Sequence, residues 1–132
     1  HEFGVGEDKS VEELFERIKG NPLQSGVTFS GGEPFCQPEG LAKLAHLLKE
    51  AGYHLASFSG FTFEQLIASS NPAIHDLLSQ LDILVDGPFV LAERDLELRF
   101  RGSRNQRVLD VPASLKAGKA IPTSDENWAY QP

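Results

Sequence analysis

Apolar residues recur along this chain at two alternating periods. Val11, Leu14, Phe15 and Ile18 share one helical face, behind a Ser10-Val11-Glu12-Glu13 start in which Ser10 can cap and Glu13 can reach back. Gly20 and Pro22 stop that helix. Gly26 to Ser30 is a short apolar strand that runs into glycines. Pro38 opens the next helix, with Leu41, Leu44, Ala45 and Leu48 as its stripe and Gly52 at its end. Tyr53 to Phe58 follows as a strand. Thr62-Phe63-Glu64-Gln65 is a second capping box, its helix is broken at Asn71-Pro72, and a further helix runs from about Ala73 to Leu81. Asp82 to Val85 is a compact buried strand ended by Asp86-Gly87-Pro88. Residues Phe89 to Gln106 form a long irregular or partly stranded segment, and Arg107 to Val111 is a last strand. After Pro112 the polar, helix-breaking composition predicts an extended or surface-wrapped tail.

This alternation predicts an α/β fold, with a mainly parallel curved sheet, outer helices and the form of an incomplete (β/α) barrel. Residues 1–111 make up the barrel-like unit and 112–132 a C-terminal tail. Ligands of such sheets bind at the carboxyl ends of the strands. Ser30-Gly31-Gly32-Glu33, Ser59-Gly60 and Asp86-Gly87 all fall at such ends.

The residue types there suit a ligand. Gly31 and Gly32 let the backbone approach closely, because no Cβ intervenes. Glu33 adds a charge that suits an ammonium group, and Pro34 biases it toward an extended conformation. A plain strand-to-helix turn is the competing reading. Ser59 and Thr62 sit in the next turn, where Thr62 is equally a helix cap. Asp86 is either a site residue or the turn former of an Asp-Gly pair. Arg99, Arg101, Arg104 and Arg107 fall close together, and guanidinium groups hold carboxylates and phosphates bidentately. Their bland reading is a solvated loop paired with Glu93, Asp95 and Glu97. Cys36 reads as a small buried hydrophobe, and His46, His54 and His75 have no paired metal spacing. Trp128 and Tyr130 read as anchors of the tail, on the core by preference and on a partner otherwise.

Three strings carry a family likeness: Phe29-Ser30-Gly31-Gly32-Glu33-Pro34, Leu84-Val85-Asp86-Gly87 and Phe100-Arg101-Gly102-Ser103-Arg104-Asn105-Gln106-Arg107. With Ser59-Gly60-Phe61-Thr62, they resemble the activating enzymes of the radical S-adenosylmethionine superfamily. The likeness is nearest to the activases of anaerobic ribonucleotide reductase and runs from about Phe3 to Val111. It implies a partial (β/α) barrel that binds S-adenosylmethionine. In that family a 4Fe-4S cluster reductively cleaves the cofactor, and the resulting radical produces a glycyl radical on the reductase. The resemblance gives the methionyl amino group to Gly31, Gly32 and Glu33, with Ser30 beside them. It adds Ser59, Asp86, Arg101 and Ser103 as cofactor-binding residues. Arg104 stands where the family pattern has a second serine. The implied partners are the large subunit of the reductase and an electron donor such as flavodoxin.

Composition changes this picture at one point. Family members hold their cluster on a CxxxCxxC loop, and this chain has 1 cysteine. The chain of 132 residues also opens on His1 and has 0 methionines, so it is expected to be a fragment whose natural N-terminus lies upstream. Neither a catalytic residue nor a metal ligand is expected within it. Hydrophobic residues at 40% suffice for a core, and a net charge of −7 disfavours general nucleic-acid binding. No apolar run is long enough to span a membrane, so a cytoplasmic protein is expected. Two other readings fit the same residues: a cluster-free relative that binds without catalysis, and an activase of a formate-lyase-type glycyl radical enzyme.

Overall fold

A computed structural model describes residues 2–5, 10–21, 25–88, 106–125 and 128. Among these, five strands form one sheet: β1 (Glu2–Val5), β2 (Gly26–Gly31), β3 (His54–Phe58), β4 (Ile83–Asp86) and β5 (Arg107–Asp110), in the order β1-β2-β3-β4-β5. The first four are parallel and β5 is antiparallel to β4. Among the described strands the sheet does not close, because β1 and β5 stand at opposite edges. This is the open, mainly parallel α/β arrangement expected of an incomplete barrel.

Helices α1 (Val11–Lys19), α2 (Pro38–Glu50), α3 (Phe63–Ile67) and α4 (Pro72–Gln80) carry the parallel crossovers. Sequential strand order with crossovers of one hand sends every helix to the same side. The core agrees: Val27, Phe29, Leu55, Leu84 and Leu109 pack with Ile18, Leu44, Leu48, Phe63, Leu77 and Leu78 of the helices. Alternate strand residues form a second, smaller cluster on the opposite face, where Ala56, Ile83, Val85 and Val108 are joined by Phe58 and Trp128. All four residues of β4 are buried, as a strand covered on both faces requires.

Local signals explain the helix starts. Ser10 accepts from the Glu13 amide, and Thr62 with Gln65 completes a reciprocal capping box. Asn71 caps α4 and Pro72 occupies its first position. At the amino-terminal ends of β3 and β4, Lys49 and the Leu55 amide both donate to Asp82, which ties the end of α2 to the start of β4.

Three expectations change. The tail does not start extended: α5 (Val111–Ala117) follows β5 directly. Asp110 accepts from the Ala113 amide and Pro112 sits in the first turn, where its missing N–H costs nothing. Pro112 therefore starts a helix where its helix-breaking character predicted a tail. Cys36 is exposed rather than buried. It ends the 3-10 turn Pro34–Cys36, in which Pro34 and Phe35 are the residues turned inward. The four-residue β1 was not expected as a strand; it pairs in parallel with β2, Phe3 beside Phe29. Trp128 does pack on the core, stacked 6.3 Å from the His54 ring.

Candidate functional site

The turns leaving β2, β3 and β4 meet around an open cleft of about 260 Å³, lined by Gly32, Glu33, Pro34, Phe58, Ser59, Gly60, Gly87 and Gln106. It lies at the carboxyl edge of the parallel strands, where a sheet of this type places its ligand. Gly31 is the last residue of β2, and Gly32 bends exposed into the cleft.

Glu33 dominates this edge. Its Oε2 accepts from the Phe35 amide at 3.1 Å and from the Ser59 hydroxyl at 2.9 Å. Its Oε1 accepts from the Gly60 amide at 2.6 Å. One carboxylate thus caps its own 3-10 turn and clasps the turn after β3. A carboxylate offers about four acceptor positions; three are taken by these donors, which leaves one on Oε1 beside the cleft. Gly60 makes the close approach feasible, because a Cβ there would sit 3.3 Å from Glu33 Oε1. Ser59 is 4% exposed and passes the bond on, its Oγ accepting from the Phe61 amide at 3.0 Å.

Asp86 closes β4 at 0% exposure. Its Oδ1 accepts from Arg107 Nε at 2.9 Å, and its Oδ2 accepts from Arg107 Nη2 and, at 2.6 Å, from the Phe63 amide at the start of α3. The outer edge of the same guanidinium donates to Glu64, at 2.6 and 3.3 Å. Asp86 first, then Glu64, raise the Arg107 pKa above its ordinary value, while the hydrogen bonds from Arg107 hold the Glu64 carboxyl below the usual range. Gly87 follows with φ of 98°, a left-handed conformation that favours glycine. Its amide donates to Phe61 O at 3.1 Å and its carbonyl accepts from Gln106 Nε2 at 3.0 Å.

Of the residues expected at a site, Gly32, Glu33 and Ser59 line the cleft, with Gly31 at its edge. Ser30 is half-buried on the strand behind it, paired with Gly4. Asp86 lies under the wall. Arg101 and Ser103, with Arg99 and Arg104, lie outside the described residues. Arg107 is described and pairs with Asp86 and Glu64; Glu93, Asp95 and Glu97 lie outside the described residues. Gln106 stood in the arginine-dense string of the sequence but was not given a place at the strand ends, and Phe58 was not foreseen as a lining residue. Gln106 was legible as the last polar residue before an apolar strand, but nothing local marks Phe58.

Iron–sulfur clusters are held by cysteine thiolates. The single cysteine, Cys36, is exposed, and among the described residues no group of three or more His, Cys, Asp or Glu side chains could hold a metal ion. The residues described here do not supply a cluster's ligands. A cationic organic ligand fits better, because Glu33 is the one charged side chain lining the cleft among the described residues. No described helix is long and apolar enough to cross a membrane.

Comparison with known proteins shows what the chain is similar to. The anaerobic ribonucleoside-triphosphate reductase-activating protein of Vibrio cholerae is 32% identical over 106 residues, covering 76% of this chain and 63% of that protein. Its counterpart in Pasteurella multocida is 28% identical over 106 residues, covering 76% and 65%. The chain spans less than two thirds of the length of these curated relatives. The family described as a 4Fe-4S single cluster domain matches residues 2–109, which takes in every strand but the last residue of β5 and every described turn around the cleft. On that match the chain belongs to the 4Fe-4S single cluster domain family.

Proposed function

We propose that this chain is the cofactor-binding part of an activating enzyme that uses S-adenosylmethionine to place a glycyl radical on an anaerobic ribonucleotide reductase. The observation that carries the reading is the cleft itself. It is acidic, glycine-walled and set at the strand ends, and the chain is similar to two proteins named as activators of that reductase. S-adenosylmethionine supplies the radical chemistry when bound. The chain's own residues bind and orient it. Gly31 and Gly32 let the backbone approach the methionyl end, and the remaining acceptor position on Glu33 takes an N–H of its ammonium group. Ser59 holds Glu33 in that orientation. Ser30, Asp86, Arg101 and Ser103 complete the proposed cofactor set. The large subunit of the reductase is the proposed partner, a flavodoxin-type protein the proposed electron donor, and the cytoplasm the proposed location. The reductive step belongs to an iron–sulfur group for which the described residues offer no ligands, so no part of it is assigned to them.

Two measurements test this. Equilibrium dialysis with labelled S-adenosylmethionine should show saturable binding that Glu33→Gln weakens about tenfold, the worth of one charge-assisted hydrogen bond. Electron paramagnetic resonance should then show a glycyl radical on the anaerobic reductase after incubation with the protein, S-adenosylmethionine and a reductant. Absence of binding at millimolar cofactor defeats the proposal. A radical signal confined to a formate-lyase-type enzyme moves the partner.

A further inference from the structure

Arg107 neither lines the cleft nor belongs to the set of cofactor residues given above, yet the bonds around it converge on the cleft wall. The turn from Ser59 to Phe63 forms that wall, and three consecutive residues of β4 and its exit hold it. The Ser59 amide donates to Val85 O at 2.9 Å, the Phe63 amide to Asp86 Oδ2 at 2.6 Å, and Phe61 O accepts from the Gly87 amide at 3.1 Å. Only the middle link uses a side chain. That side chain is a fully buried carboxylate, and among the described residues its one countercharge is Arg107. A buried charge left uncompensated is strongly destabilising.

We propose that Arg107 is a positioning residue for the cleft, setting the Ser59–Phe63 turn by holding the first turn of α3 at two points. Its inner edge spans both oxygens of Asp86, which fixes the carboxylate plane and aims Oδ2 at the Phe63 amide. Its outer edge takes both oxygens of Glu64, the next residue in the chain. The geometry needs a planar fork. A lysine ammonium would keep the charge beside Asp86 but cannot set two carboxylate planes at once. On the other side, Glu33 fixes Ser59 and Gly60. The ligand-facing atoms of this turn are therefore held between two carboxylates, and one of those depends on Arg107. The ligand half of this inference rests on the reading of the cleft as an S-adenosylmethionine site; the brace itself does not.

The test uses Arg107→Lys and Glu64→Gln, with Ile18→Val as a control. The control loosens the core without touching the turn. Amide hydrogen exchange is read first, without ligand. In Arg107→Lys the amides of Ser59, Phe61 and Phe63 should exchange about tenfold faster relative to those of Leu55 and Leu84, and in Glu64→Gln by a smaller factor of the same pattern. S-adenosylmethionine affinity, measured far below the unfolding midpoint, should fall about fivefold or more in Arg107→Lys and stay unchanged in Ile18→Val. Wild-type exchange at Phe63 in Arg107→Lys overturns the brace. Faster exchange with unchanged affinity overturns its role in the site. If the wild-type protein binds no S-adenosylmethionine, the functional reading falls, while the exchange data still decide whether Arg107 positions the turn.

Discussion

Replacing Glu33 with alanine should cost far more than a half-exposed glutamate ordinarily does. The substitution removes the acceptor of three donors at once. Ser59 is 4% exposed, so its hydroxyl loses its partner where water cannot readily replace it, at about 1–3 kcal/mol. The Phe35 amide lies in a partly buried turn, and its loss adds about 1 kcal/mol. Gly60 is exposed, so water takes over at its amide and only a few tenths of a kcal/mol are lost there. The sum is about 3 kcal/mol, or roughly 10 °C in the unfolding midpoint for a domain of this size. Urea denaturation followed by far-UV circular dichroism reads the loss directly, provided wild type and variant share one m-value. Glu33→Gln should fall in between, since it keeps one acceptor but turns an NH₂ toward the other donors. A loss below about 0.5 kcal/mol in Glu33→Ala would refute the argument, because it would mean that the clasp between the β2 and β3 turns contributes no more than an ordinary surface contact.

Three further outcomes follow from the same structure. Thr62→Ala should lose about 1 kcal/mol by thermal unfolding, because it removes the acceptor of the Gln65 amide and half of a capping box. Phe29→Ala, at a ring with 0% exposure in the middle of the sheet, should lose about 3–5 kcal/mol by urea denaturation. Glu64 has a depressed pKa in the folded chain, so its ion pair stabilises above the unfolded value of about 4.3 and fades as pH falls through the folded value. The stability difference between wild type and Glu64→Gln should therefore be constant from pH 6 to 8 and shrink below about pH 4.5. Because both partners are substantially exposed, that difference is about 0.5 kcal/mol or less.

Much of the fold was legible because its signals are local. The 3.6-residue stripe of Leu41, Leu44, Ala45 and Leu48, the caps at Ser10 and Thr62, and the apolar run before Asp86 each lie within a few residues of the boundary they set. The carboxyl-edge site was legible for the same reason, since strand ends and their glycines are adjacent in sequence. What escaped depends on register. Glu33 and Ser59 are 26 residues apart, and Asp86 and Arg107 are 21 apart. Only the parallel pairing of β2 with β3 and the antiparallel pairing of β4 with β5 bring them within bonding distance. Arg107 thus looked like one member of an arginine-dense loop until Asp86 stood opposite it in the ladder. The start of α5 failed differently: the Asp110 cap and Pro112 were visible, but a proline that opens a helix and one that breaks a chain look alike when no apolar stripe follows.

The order of the strands also has a consequence for how the chain acquires its shape. Among the described strands each neighbour in the sheet is also the neighbour in sequence, so none of them has to wait for a partner synthesised much later. Closing each β–α–β unit brings together segments only a few tens of residues apart, at an entropic cost that grows slowly with length. A chain leaving the ribosome can lay β2 on β1, then β3 on β2, then β4 on β3, and then β5 antiparallel on β4. At each stage the incoming strand joins the edge opposite β1, and the antiparallel β5 is the one that delivers Arg107 to Asp86. The cleft wall is therefore secured only when β5 docks, so a partly made chain holds the strands of the site before it holds their alignment.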